Sequence, residues 1–119
     1  MTKDRMAVLA AMIDQGVIPV FYHPDVETCV NVIQACANAG ARCIEFTNRG
    51  EFAAHTFLEV ARHFAGADPG VTLGVGSIVD APTAALYIAN GARFVVGPLL
   101  NAEVARLCNR RMIPYSPGC

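Results

Sequence analysis

The sequence predicts an α/β fold built around a parallel sheet. β-rich runs alternate along the chain with stretches whose apolar residues recur at helical spacing. Glycines stand between the helical stretches and the next strands, which is typical of helices that end in a left-handed residue. Such alternation produces βαβ units, whose strands run parallel. The predicted strands are 17–22, 42–46, 71–75, 93–96 and 112–115.

Local signals place the helices between these strands. The first helix precedes the first strand, and its apolar residues share one face: Met6, Leu9, Ala10 and Ile13. Three later helices begin after a short side chain that accepts hydrogen bonds from the first turn: Asp25, Asp80 and Asn101. The glycines expected to end helices are Gly16, Gly40, Gly70 and Gly91. Pro19 conflicts with its strand because it removes a ladder donor, so we expect a distortion there.

Composition argues against several classes of protein. The 119 residues carry a formal net charge of −1, and 54% of them are hydrophobic while 16% are charged. A chain this apolar is not disordered, and it lacks the basic excess of a nucleic-acid-binding module. No apolar run approaches the ~20 residues that span a bilayer, so we expect no membrane partner. The length fits one domain, residues 1–119. Because charged residues are scarce, we expect that part of the surface is buried against partner chains or that the chain is part of a larger structure.

Two parallel architectures fit five strands. A flavodoxin-like open sheet commonly has about this length. A (β/α)8 barrel needs at least ~200 residues, so the chain would supply only its first five β/α units, preceded by the N-terminal helix. The helix before the first strand and the lack of one after the fifth favour an incomplete barrel over the open sheet.

The cysteines and histidines suggest neither a disulfide framework nor a metal centre. The cysteines are odd in number and include no Cys-x-x-Cys pair: Cys29, Cys36, Cys43, Cys108 and Cys119. Reduced thiols in a cytoplasmic protein are therefore expected. The histidines lack an acidic or cysteine partner at metal-site spacing, so we expect no metal ion.

Candidate chemistry lies at the carboxyl ends of the strands, where both architectures place functional residues. Glu45 lies within the apolar run 43–46, where a carboxylate is costly to bury unless it is paired or protonated. Arg49 follows four residues later, and it either pairs with Glu45 or binds a substrate carboxylate. Spacing alone leaves a structural and a functional role equally open.

The third strand ends in Gly74-Val75-Gly76-Ser77. Its glycines either let the backbone approach a ligand beside the Ser77 hydroxyl or form a simple tight turn. The segment lacks the pattern of a nucleotide P-loop and the full dinucleotide fingerprint. Pro98 follows the fourth strand at the same edge of the sheet.

Five segments in order carry a resemblance to a known family. The second-strand segment is Ala39-Gly40-Ala41-Arg42-Cys43-Ile44-Glu45-Phe46-Thr47, and the third is Gly74-Val75-Gly76-Ser77-Ile78. The others are 16–20, which contains Pro19, 91–98 and 113–119. Over nearly its whole length the chain resembles the class I aldolases of the 2-keto-3-deoxy-6-phosphogluconate and 4-hydroxy-2-oxoglutarate type.

The resemblance implies a (β/α)8 barrel that cleaves a keto acid to pyruvate and an aldehyde, either glyceraldehyde 3-phosphate or glyoxylate. A lysine on the family's sixth strand forms a Schiff base with the substrate, whose protonated imine draws electrons from the breaking bond. Glu45 matches the general acid/base, and Arg49 matches a residue near the pyruvate carboxylate. Ser77 stands where the family often has a threonine that binds this carboxylate or an adjacent water. Pro98, in the fourth segment, is expected to contact the substrate.

The sequence departs from the family in one important respect. Its only lysine is Lys3, which lies outside every matching segment, so no residue is assigned as the Schiff-base nucleophile. We expect no cofactor, a homotrimer by resemblance, and no activity from these 119 residues alone. The alternative is a noncatalytic half-barrel or a flavodoxin-like module that binds a small molecule.

Overall fold

The strands of the protein form one parallel sheet in chain order. A computed structural model describes residues 3–119. Its helices are α1 (Arg5–Gln15), α2 (Val26–Asn38), α3 (Ala53–Ala67), α4 (Ala81–Ala89) and α5 (Ala102–Arg110). Its strands are β1 (Val20–Phe21), β2 (Cys43–Thr47), β3 (Thr72–Gly76), β4 (Val95–Gly97) and β5 (Tyr115–Pro117), and the sheet order is β1-β2-β3-β4-β5.

The strand order decides between the two predicted architectures. In a flavodoxin-like sheet the first strand lies between the second and third, whereas here β1 pairs only with β2. The flavodoxin-like alternative is therefore wrong. Each strand instead pairs with the next one along the chain, as in the first five β/α units of a barrel, with α1 before them. No helix in residues 3–119 is both long enough and apolar enough to cross a bilayer.

The helices cover one side of the sheet. Ile44 and Phe46 of β2 belong to the main hydrophobic core, together with Leu73 and Val75 of β3. Because successive side chains of a strand point to opposite faces, the intervening residues of β2 face the other side: Cys43, Glu45 and Thr47. This second side is the inner face of the incomplete barrel.

Most of the predicted helix boundaries are confirmed. Asp25, Asp80 and Asn101 each accept a hydrogen bond from a backbone N–H of the first turn. Left-handed glycines occur at three of the four predicted helix ends: Gly16, Gly40 and Gly91. The prediction for Gly70 is wrong, because α3 ends at Ala67 and the chain reaches β3 without a left-handed residue at 70.

The first strand is much shorter than predicted. It contains only Val20 and Phe21, instead of 17–22. Pro19 immediately precedes it, and the Pro19 carbonyl still accepts a hydrogen bond from Glu45 N at 2.9 Å. Proline lacks a donor but keeps its acceptor, so the distortion expected at Pro19 appears as a late start of the strand.

The N-terminal helix forms as predicted, but its most apolar face points away from the protein body. Met6 and Ile13 are 73% and 81% exposed. The opposite face carries buried Val8 and the half-buried Arg5 and Gln15. Arg5 donates to the carbonyls of the last turn of α5, so polar contacts dock this helix together with the buried Val8.

Candidate active site

The carboxyl group of Glu45 lies on the inner face of the sheet, against the backbone of β3. Glu45 is 9% exposed. A Cβ built on Gly76 would overlap Oε2 of Glu45 and would lie 2.6 Å from its carboxyl carbon. The glycine in the third-strand segment thus makes room for a side chain of the neighbouring strand.

Glu45 has no ion pair among residues 3–119. Burial raises the pKa of its carboxyl group, because a low-polarity environment disfavours the charged form. A raised pKa and the lack of a fixed charged partner are features shared by many carboxyl groups that move protons in enzymes.

Arg49 does not pair with Glu45. Within the described residues Arg49 forms no salt bridge, and its side chain is exposed. The physical reason is that β2 ends at Thr47, so Arg49 has already left the strand that holds Glu45 inside. Of the two interpretations left open by the sequence, the Glu45–Arg49 pair is therefore wrong.

The loop that carries Arg49 is fixed by hydrogen bonds to the residue before it, Asn48. Asn48 N donates to the carbonyl of Gly76 at 3.0 Å. The side-chain oxygen of Asn48 accepts a hydrogen bond from the hydroxyl of Tyr87 at 2.7 Å. Tyr87 is fully buried in α4, so a rigid helix fixes the point from which Arg49 projects.

Ser77 and Pro98 lie at the same rim as Arg49. Ser77 directly follows β3 and Pro98 directly follows β4, and both are exposed. Ser77 has a φ of 60°, an uncommon conformation for a residue with a side chain. Since β2, β3 and β4 are adjacent and parallel, their carboxyl ends bring Arg49, Ser77 and Pro98 to one edge.

Lys3 lies at the opposite edge of the sheet. Its Nζ donates to the carbonyl of Val71, which precedes the first residue of β3. Desolvation, followed by the nearby charge of Arg93, lowers the pKa of Lys3. A lowered pKa is typical of nucleophilic lysines, but this one lies at the amino ends of the strands, away from the rim with Arg49.

Three features of the site escaped sequence reasoning. Thr47 is buried on the same face as Glu45, and the two-residue alternation of a strand is the signal that would have found it. Gly76 serves as space for a carboxyl group, and Tyr87 anchors Asn48. The roles of Gly76 and Tyr87 depend on contacts between distant segments, which a local sequence pattern cannot predict. Residues 3–119 contain no cluster of three or more metal-ligating side chains.

The family is decided by a match that spans most of the chain. The model of the family "Aldolase: KDPG and KHG aldolase" matches residues 8–119. The chain belongs to this family. A 2-dehydro-3-deoxy-phosphogluconate aldolase of Treponema pallidum is 34% identical over 102 residues, which cover 86% of this chain and 47% of the relative. The corresponding enzyme of Pseudoalteromonas atlantica is 30% identical over 119 residues, with coverages of 99% and 54%.

Solved structures of KDPG aldolases share the fold. One from Legionella pneumophila, described with pyruvate captured as a covalent carbinolamine intermediate, has a TM-score of 0.80 and 26% identity, covering 97% of this chain and 52% of that chain. One from Zymomonas mobilis also has a TM-score of 0.80, at 21% identity, with coverages of 94% and 52%. The chain spans about half the length of the relatives it matches.

Proposed function

We propose that this chain is the first half of a class I aldolase that cleaves 2-keto-3-deoxy-6-phosphogluconate or 4-hydroxy-2-oxoglutarate to pyruvate and an aldehyde. The observation that carries the proposal is a buried, unpaired carboxyl group, Glu45, on the inner face of a KDPG/KHG-aldolase fold. The relative from Legionella pneumophila, which holds pyruvate as a covalent carbinolamine, supports Schiff-base chemistry on this fold.

In this proposal Glu45 is the general acid/base. Carbinolamine formation and its loss of water both need a proton moved at the keto oxygen. Bond cleavage needs a base to remove the proton of the hydroxyl on the carbon that becomes the aldehyde. The electrons of the breaking bond flow into the protonated imine, and the pyruvyl fragment remains as an enamine. A carboxyl group whose pKa is raised by burial suits both directions of transfer.

Arg49, Ser77 and Pro98 form the proposed binding rim. The exposed guanidinium of Arg49 offers paired N–H donors, which match the geometry of a keto-acid carboxylate. The Ser77 hydroxyl offers one more donor from the adjacent strand end. Pro98 supplies a rigid apolar contact at the end of β4. Together they would orient the pyruvyl end of the substrate beside Glu45.

We further propose that residues 1–119 form a single α/β domain that is an incomplete barrel. In this proposal the remaining β/α units of the barrel supply the Schiff-base lysine. The only lysine of the chain lies at the wrong edge of the sheet. The coverage of about half of each relative supports a site completed by further β/α units. We propose a cytoplasmic location, since the five free cysteines suit a reducing compartment, and a homotrimer on the resemblance to the family.

Reduction with borohydride in the presence of pyruvate tests the proposal. Borohydride converts a Schiff base into a stable secondary amine, which mass spectrometry locates on the chain. We expect no adduct on the 119 residues alone, and one adduct outside them on a protein that carries the complete barrel. Lys3→Arg is the control variant, because it removes the only lysine side chain of the 119 residues.

Two outcomes would contradict the proposal. An adduct on Lys3 that Lys3→Arg abolishes would move the nucleophile to the amino ends of the strands. A complete barrel that binds pyruvate without forming any adduct would instead support a noncatalytic keto-acid-binding protein.

A further inference from the structure

Gly76 and the carboxyl group of Glu45 occupy adjoining space so closely that a side chain at position 76 would displace the carboxyl group. A Cβ there would overlap Oε2 of Glu45, would lie 2.6 Å from its carboxyl carbon, and would lie 3.2 Å from its Cγ. Contacts of a Cβ below 3.0 Å essentially do not occur in proteins. Either Gly76 stays glycine, or the carboxyl group of Glu45 moves.

The backbone conformation does not require this glycine. Gly76 is the last residue of β3, and its φ lies outside the left-handed region. It differs in this from Gly16, Gly40 and Gly91, which occupy left-handed turns at helix ends. An alanine at position 76 would therefore meet no conformational strain, and the three atoms nearest to its Cβ all belong to the side chain of Glu45.

A second glycine on the same face makes room for a different group. Gly74 lies two residues earlier in β3, and a Cβ there would overlap the aromatic ring of Phe94. Phe94 is an ordinary buried side chain, 1% exposed. The inner face of β3 thus has two recesses, one filled by an aromatic ring for packing and the other by a carboxyl group.

We propose that Gly76 is a positioning residue, which seats the carboxyl group of Glu45 against the backbone of β3 and so fixes its place for proton transfer. This role rests on the proposed function, in which Glu45 is the acid/base. The recess keeps the group on the inner face without a charged partner. A side chain at position 76 would push the carboxyl group away from the sheet and into water.

A double-mutant cycle tests the contact directly. Gly76→Ala, Glu45→Ala and the double variant are made in the full chain, and urea unfolding is followed for each. We expect Gly76→Ala to lower the urea midpoint in the wild-type background and to lower it by less than half as much in the Glu45→Ala background. If Gly76→Ala alone does not fold, recovery of folding in the double variant is the supporting result.

Gly74→Ala is the matched control for the cycle. The atoms nearest to its Cβ would be those of the Phe94 ring, so we expect most of its loss of midpoint to remain with Ala at position 45. Equal losses for Gly76→Ala in both backgrounds, or a double variant that fails to fold, would overturn the proposal.

The pKa of Glu45 gives a second readout, which a purely structural role would leave unchanged. Carbon-13 NMR of the labelled carboxyl group follows its titration in the wild type, Gly76→Ala and Gly66→Ala. Gly66 lies in α3, and a Cβ there would contact nothing within 4 Å. We expect the pKa to fall towards its ordinary value in Gly76→Ala, because water reaches the displaced carboxylate, and to stay in place in Gly66→Ala. A folded Gly76→Ala variant with the wild-type pKa would overturn the proposal.

These measurements need neither the missing lysine nor a substrate. If pyruvate trapping fails while the cycle shows coupling, the aldolase function is rejected and the recess at Gly76 remains. If trapping succeeds while the cycle shows no coupling, only the role of Gly76 is rejected.

Discussion

The side-chain amide of Gln15 forms a reciprocal pair of hydrogen bonds with the backbone of Cys43. Its Oε1 accepts from Cys43 N at 2.8 Å, and its Nε2 donates to Cys43 O at 2.9 Å. Oε1 also accepts from Arg42 N at 2.7 Å, and Nε2 also donates to Val17 O at 2.6 Å. Gln15 ends α1 and Cys43 begins β2, so one amide fastens the first helix to the strand that carries Glu45.

We expect Gln15→Ala to lower the free energy of unfolding by about 2 kcal/mol, since it leaves part-buried backbone donors at the start of β2 without a partner. Urea unfolding measures the change. Gln34→Ala is the control, because within residues 3–119 the Gln34 amide bonds only to Asn38, on the exposed surface of α2. Equal effects of the two substitutions would contradict a special role for Gln15.

Tyr87→Phe tests the anchor of the loop that precedes Arg49. The substitution keeps the buried ring against Phe57 and removes the hydroxyl that bonds to Asn48. We expect a loss of about 1 kcal/mol, which lowers the melting temperature by about 4 °C. Tyr22→Phe, whose hydroxyl makes no hydrogen bond within residues 3–119, should leave the melting temperature unchanged. A neutral Tyr87→Phe would show that the loop holds its position without this bond.

Glu45→Gln tests the cost of burying the carboxylate. Burial raises the pKa of Glu45 in the folded chain above its ordinary value of 4.5, so the folded state binds the proton more tightly than the unfolded state. Ionisation therefore removes stability as the pH rises from 4.5 through the raised folded pKa. We expect the wild type to lose stability relative to Glu45→Gln across this window, measured by urea unfolding at several pH values. A difference that does not vary with pH would contradict the raised pKa.

Arg49→Ala tests the proposed binding rim in a protein with the complete barrel. A charge-assisted hydrogen bond contributes about 1.5–3 kcal/mol, so we expect KM for the keto acid to rise roughly 10- to 100-fold while kcat changes little. Arg62→Ala is the control, since Arg62 lies exposed on α3 beside Glu59. Steady-state kinetics separate the two parameters, and a fall in kcat at constant KM would move Arg49 from binding to chemistry.

Local sequence signals predicted the parts of the fold that depend on local physics. Strand–helix alternation follows from hydrophobic spacing, and Asp25, Asp80 and Asn101 cap helices through contacts only three residues apart. The burial of Glu45 followed from its apolar neighbours. Each of these inferences needs a few consecutive residues and no knowledge of the rest of the chain.

Features that depend on distant groups were not predictable from local sequence. The side of α1 with Met6 and Ile13 is exposed, and the side that faces the protein body carries the polar groups that bond to the backbone of β2 and α5. Glu45 and Arg49 have helical spacing, but the strand that ends between them separates them. Gly76 was interpreted as a turn or a ligand contact, because its actual neighbour lies 31 positions earlier in the chain.

The consecutive strand order bears on how the chain folds during synthesis. Each strand pairs with the strand made just before it, so no strand has to be inserted later between two that are already paired. Each pairing spans one β/α unit, and a parallel pair of strands always needs a crossover connection of this kind. The recess at Gly76 can therefore receive Glu45 only after the third strand has been made.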